Sequence, residues 1–189
     1  TCPCCGYTTP VARVREQLRN RSGGTRDARL LCAVTTRADV QGRFYRLPNA
    51  LDEKALKQAD ADLARLLREN PSALPDEQTP GTQGHRAVGS LALYGMVTWG
   101  SVFSARQAVA MLWLSRIVAD VVKSELAVKD VEFVRAVKTC LSLAVSRESD
   151  HLNSGCSWNP TGEKMQHLFA RQALPMVWDF CETNPLGGS

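Results

Sequence analysis

Residues 70–90, which begin Asn70-Pro71-Ser72-Ala73-Leu74-Pro75-Asp76, decide how the chain is divided. Pro71, Pro75, Pro80, Gly81, Gly84 and Gly89 crowd into that one stretch. Proline fixes φ and removes a hydrogen-bond donor, and glycine leaves the backbone loose, so a helix stops here and none restarts. The stretch reads as a linker, 71–90, between a basic half, 1–70, and a helical half, 91–189.

Immediately upstream, Leu56, Ala59, Leu63, Leu66 and Leu67 recur at helical spacing, with charges opposite. Pro48 and Asn49 open this helix, and Asn70-Pro71 ends it. Before it, Leu30 to Thr36 is apolar and β-branched and reads as a buried strand. Phe44 to Leu47 reads as a second strand, with Asp39 to Gly42 turning between them. Val14 and Leu18 lie among arginines in Val11 to Arg21, a run broken by Gly23-Gly24.

Downstream, Ser104 with Gln107 three residues on is a capping-box signature. The helix that follows is apolar nearly all round, apart from Arg106, Arg116, Asp120 and Lys123, so a central position is expected. Asp130 can cap the next helix, whose inner face reads Phe133, Val137, Cys140, Leu141 and Ala144. A loop of Asn153, Ser154, Gly155 and Asn159-Pro160 precedes a last helical stretch, Glu163 to Thr183, interrupted at Pro175. The expected fold class is α+β: a short zinc-knuckle and β-hairpin N-terminal half followed by a mainly helical half.

The 189 residues suffice for one good domain or two small ones. With 44% hydrophobic and 22% charged residues, the chain is neither a disordered tail, a collagen-like fibre nor a disulfide-dense miniature. No apolar run approaches the roughly 18 to 20 residues that span a bilayer. The net charge of +4 is unevenly placed: residues 1–50 carry nine arginines and no lysine against Glu16, Asp27 and Asp39, a balance of +6. A basic third on a near-neutral body fits a polyanionic partner, and arginine suits bidentate phosphate or base contacts.

Seven cysteines, three of them Cys2, Cys4 and Cys5, come without a secretory leader, so reduced thiols and a cytoplasmic setting are expected. The start at Thr1, directly against the first cysteine, and the Gly-Gly-Ser end read as a piece of something longer. Cys2-x-x-Cys5-Gly6 has the spacing of a zinc knuckle, whose two thiolates can both reach one ion at about 2.3 Å. It is half a site, since structural zinc takes four ligands and Cys32, Cys140, Cys156 and Cys181 lie singly. The alternative is a run of exposed, idle thiols.

Arg13, Arg15, Arg19, Arg21, Arg26 and Arg29 form a dense basic segment beside the knuckle, suited to phosphate contact or to nothing more than a solvated face. Arg43-Phe44-Tyr45-Arg46 sets aromatics between arginines, as single-strand or flipped-base contacts require. On a strand, however, Phe44 and Arg46 share one face and Arg43 and Tyr45 the other, which core-and-surface alternation also explains. His85, His151 and His167 stand far apart and read as ordinary histidines. No nucleophile–base pair, carboxylate dyad or phosphate loop is evident.

Taken together, the strings resemble one family: adenine-specific DNA methylases containing a zinc ribbon, often encoded near phage-defence genes. The resemblance rests on Cys2-Pro3-x-Cys5-Gly6-Tyr7-Thr8-Thr9-Pro10, Gly23-Gly24 with Asp27-Ala28-Arg29-Leu30, and Gly42-Arg43-x-Tyr45-Arg46-Leu47-Pro48. It continues through Tyr94-Gly95-Met96, Trp99-Gly100, Phe103, Arg106-Gln107, Arg171 to Phe180 and Asn184-Pro185-Leu186.

In such methylases the S-adenosylmethionine motif lies upstream of the ribbon and the Asp-Pro-Pro-Tyr catalytic motif downstream of this region. Neither occurs here. Asn184-Pro185-Leu186 lacks the second proline and the aromatic, and reads as a helix end before Gly187-Gly188. The resemblance therefore implies a central insert: half a ribbon holding zinc through Cys2 and Cys5, plus a domain between the cofactor and catalytic motifs. The arginine bias of the first half agrees with an insert that grips DNA, and the residues expected at the phosphates are Arg13, Arg15, Arg19, Arg21 and Arg26, less firmly Arg43 and Arg46. The resemblance offers no catalytic residue in this chain. The implied partners are DNA, the remaining methylase segments and other phage-defence proteins, with no membrane. The rival readings are a free-standing, non-enzymatic zinc-ribbon module that binds nucleic acid, and a protein-docking scaffold.

Overall fold

The computed structural model describes residues 1–21, 23–80, 90–124, 130–170, 174 and 176–187. The expected linker residues 81–89, with His85, lie outside the described residues, as do 171–173 and Pro175.

The fold is α+β, built from helices and two small antiparallel ribbons. Helix α1 spans Val11–Asn20, with Val14 and Leu18 half-buried, and ends before Gly23-Gly24. Strands β1, Ala33–Thr35, and β2, Phe44–Arg46, pair in the register Ala33↔Arg46, Val34↔Tyr45 and Thr35↔Phe44. Gly42, at φ +126°, occupies a backbone conformation that a side chain would strain. The strand expected over Leu30 to Thr36 is shorter than its apolar run and is not buried: Leu31 and Val34 are 70% and 42% exposed. A two-stranded ribbon has no second sheet against it, and the face bearing Val34 and Tyr45 opens on a cleft rather than on a closed core.

Helix α2, Ala50–Glu69, begins at a full capping box. The Asn49 side chain accepts from the amides of Leu51 and Asp52, and the Asp52 carboxylate accepts from the Asn49 amide at 2.8 Å. Ala59 and Leu66 are buried and Leu56, Leu63 and Leu67 half-buried, as the spacing requires. After the short α3, Ser90–Leu93, comes α4, Ala105–Ser124, which packs on α2 along one side and on α5, Val131–His151, along the other. It lies between the two helices, but its apolar surface is covered only in part: Trp113 and Ile117 stay 44% and 52% exposed. Ser104 and Gln107 close the expected box at its start, and Asp130 caps α5 by accepting from Glu132 and Phe133.

Two expectations are corrected. The half-buried apolar residues of α5 are Val134, Val137, Leu141 and Val145, whereas Phe133, Cys140 and Ala144 are exposed. The helix is rolled away from the expected face, because α4 is the element that covers it. Glu163 to Thr183 shows no long helix among its described residues. Instead β3, Ser157–Asn159, pairs with β4, Lys164–Gln166, and a 3-10 turn follows at Leu168–Ala170. Asn159 accepts from the amides of Thr161 and Gly162, so the Asn-Pro-Thr-Gly signal makes a hairpin turn. Asn184-Pro185-Leu186 is likewise a turn, in which the Leu186 amide donates to the Asn184 side chain.

The small core sits where three loops cross. Leu91, Met96 and Val102 form it, with Trp99, Leu174 and Met176 against them. The described part of the 70–90 stretch runs alongside: Gly100 donates to Pro75, Trp99 to Glu77 and Thr79 to Val97 through their backbones. The Thr79 hydroxyl donates to the Met96 carbonyl at 2.8 Å. Opposite, the Ser154 amide donates to the Val102 carbonyl and the Ser154 hydroxyl lies 3.8 Å from the Met96 sulfur.

Candidate nucleic-acid interface

The basic segment folds as α1 and the turn behind it, and the loop crossing holds both in place. Gly23 is buried, and a Cβ there would fall 2.5 Å from the carbonyl oxygens of Leu18 and Tyr94. Gly95, at φ +90°, passes so close that its own Cβ would meet the Leu18 oxygen at 2.7 Å. Only glycine permits two backbones this near. The Gly23-Gly24 and Tyr94-Gly95-Met96 strings, far apart in sequence, are therefore one packed contact. Thr25 secures the turn, its hydroxyl donating to the Phe103 carbonyl at 3.1 Å.

This placement separates the arginines. Arg13 pairs with Glu16 at 3.0 Å on the outer face of α1. Arg15 lies half-buried, its guanidinium 5.4 Å from the centre of the Tyr94 ring. Arg21 grips Asp27 through both carboxylate oxygens, at 2.9 and 3.2 Å. Arg46 is taken up by Asp52, which it holds through two hydrogen bonds, so the α2 cap has first claim on it. Arg19, Arg26 and Arg43 are exposed and meet no carboxylate among the described residues. The set is thus brought together in part: Arg13, Arg15, Arg19, Arg21 and Arg26 share one end of the molecule's chain path, while Arg43 and Arg46 belong to the β1–β2 ribbon.

At the knuckle, Cys2, Cys4 and Cys5 are all exposed. Gly6 takes φ +70° and donates to the Cys2 carbonyl, and the Cys2 amide donates to Tyr7. The Cys2 thiol is held below its ordinary range, first by the Cys5 amide and then by the Cys4 amide, both of which donate to its sulfur. Such amide donors stabilise a thiolate, the form a metal ligand must take. Among the described residues, no group of three or more His, Cys, Asp or Glu is placed to hold a metal ion.

Two features had no clear signal in the sequence. A cleft of about 1240 Å³ opens between the β1–β2 ribbon with α2 and the second half of the chain, and its lining includes Arg26, Arg29, Tyr45, Trp158, Trp178 and Phe180. Tyr45 and Trp178 are 52% and 64% exposed. Tyr45 meets the Trp158 ring edge-on at 6.2 Å, and Trp178 meets Tyr94 at 5.5 Å. Arg106 and Glu182 pair across the cleft wall at 2.6 Å.

The second feature is a carboxylate–histidine cluster. The β3–β4 hairpin folds back and stacks His167 on His151 at 5.3 Å. Asp150, 6% exposed, accepts from the Phe169 amide at 2.8 Å and lies 2.8 Å from His167 Nδ1. His151 and His167 stand far apart in the sequence, and only the hairpin, where a helix is expected, brings them together. No protein-family model, no curated protein and no solved structure matches the chain.

Proposed function

We propose that the chain is the DNA-contacting insert of an S-adenosylmethionine-dependent, adenine-N6 DNA methyltransferase, and that it carries none of the catalytic groups itself. The observation that supports this most is the arginine-bearing α1 beside the knuckle. Its Arg19, with Arg26 in the following turn, lacks a carboxylate partner among the described residues. Arginine side chains held on a rigid element and left unpaired are suited to phosphate oxygens. The family resemblance supplies the rest: DNA as partner, zinc shared between Cys2 and Cys5 and a second cysteine pair, and methyl transfer by the flanking segments. The insert's part is then to grip phosphates while the target base leaves the stack.

The test is fluorescence anisotropy of a short duplex across a salt series. Each phosphate contact steepens the slope of log affinity on log salt by about 0.9, so Arg19 and Arg26 together give about −1.8. Changing Arg19 to Ala flattens that slope by about half, whereas Arg13→Ala, already paired with Glu16, leaves it unchanged. Absence of binding even at low salt overturns the reading. It would favour a scaffold docking other proteins, for which the exposed Trp113, Ile117, Phe133 and Leu143 on α4 and α5 are the relevant surface.

A further inference from the structure

Exposed aromatic rings and unpaired arginines on one concave surface are the two ingredients of a single-strand binding groove. The large cleft has both, its Arg26 and Arg29 meeting no carboxylate among the described residues. Its lining includes the half-exposed Tyr45 and Trp178, steadied edge-on by Trp158 and Tyr94, and the exposed Arg26 and Arg29. A T-shaped partner restrains each ring, so less side-chain freedom is lost when a base binds, and both Tyr45 and Trp178 keep more than half of their surface in solvent.

We infer that this cleft takes unstacked bases of a single-stranded or locally opened nucleic acid, with Tyr45 and Trp178 as stacking faces and Arg26 and Arg29 as phosphate contacts. Asp60, Asp76 and Asp179 also line the cleft. Two further lining carboxylates, Asp52 and Glu182, are neutralised by Arg46 and Arg106. The three aspartates disfavour phosphates beside them, so the phosphate contacts fall to Arg26 and Arg29 while bases meet the rings. The arrangement is one for a displaced strand beside a gripped duplex; it rests on the nucleic-acid reading above and specifies where an opened strand goes.

The experiment compares a labelled 12-nucleotide (dT) strand with a duplex of equal length, using the full 189-residue chain. Wild-type chain binds the single strand with quenching of tryptophan emission. Tyr45→Ala and Trp178→Ala each weaken single-strand binding about tenfold or more, from the usual worth of a base–aromatic stack, and leave duplex binding unchanged. Trp178→Phe retains most of the affinity. Should an alanine variant lose its fold, Arg29→Ala decides instead. Its side chain is exposed and lines the cleft, and its loss lowers the single-strand salt slope by about 0.7. Single-strand affinity indifferent to these changes, with duplex binding intact, overturns the cleft proposal alone. Single-strand binding without duplex binding supports the cleft and removes the duplex-gripping reading, and binding of neither overturns both.

Discussion

Arg46 at the end of β2 holds both oxygens of Asp52 in the first turn of α2, at 2.5 and 2.9 Å, while the same carboxylate accepts from the Asn49 amide. One carboxylate thus joins the ribbon to the helix and closes the helix's own cap. The Arg46 hydrogen bonds, with the Asn49 amide next, hold the Asp52 carboxyl down from its ordinary 3.8 to about 2. A depressed folded-state value means the pair stabilises the fold fully above about pH 4, and this is lost as the pH falls toward 2. Denaturant unfolding of wild-type chain and Arg46→Ala should show a stability gap at pH 6 that narrows at pH 3. The same variant should leave the salt slope for duplex DNA unchanged, since Arg46 is already occupied.

Gly23 and Gly95 carry a sharper expectation. Replacing either with Ala forces a Cβ against backbone oxygens at 2.5 to 2.7 Å, with positive φ adding strain at Gly95. Each substitution should cost about 3 kcal/mol, because backbone on both sides cannot give way. Gly162→Ala, whose nearest neighbour would be a lysine side chain at 3.4 Å, should fall within about 0.5 kcal/mol of wild type. Urea midpoints for the three variants provide the comparison.

The cysteines should separate by reactivity. Burial pushes the Cys181 thiol up to about 12 and moves Cys156 in the same direction, whereas donated amides lower Cys2. Iodoacetamide labelling at pH 8, read by peptide mass spectrometry, should modify Cys2 first, and Cys156 and Cys181 only after unfolding. Because Cys181 keeps its proton longer in the folded state, its contribution to stability is full below pH 9 and falls as the pH rises toward 12.

Leu66 on α2 and Leu152 after α5 are the largest fully or nearly fully enclosed apolar side chains, 0% and 2% exposed. Truncation of either to Ala should cost about 2 to 5 kcal/mol by the usual transfer and cavity terms. Leu143→Ala, on the 64% exposed face of α5, should cost less than about 0.5 kcal/mol. Chemical denaturation distinguishes these outcomes directly.

The elements that could be read from residues alone are those with local causes. Asn49 with Asp52, Ser104 with Gln107, and Asp130 each cap the helix they signal, because a cap needs only its own first turn. The leucines of α2 show their buried face for the same reason, one apolar stripe meeting one partner. The β3–β4 hairpin is hidden because three alternating residues, Lys164-Met165-Gln166, are too short a run to tell strand from helix, and their pairing depends on Ser157–Asn159 across the turn. The face of α5 was misjudged because several rotations offer apolar residues, and only the position of α4 selects among them.

The candidate site divides in the same way. The knuckle spacing, the arginine cluster and the glycine pair are local patterns, and the amino-acid order alone determined the turn at Gly6, the caps and the concentration of positive charge. Which arginines remain free, which aromatics share a cleft, and that His151 meets His167 were decided only by tertiary structure. These depend on carboxylates, rings and backbone crossings supplied by residues distant in the chain, and such meetings are set by packing, which no local pattern encodes.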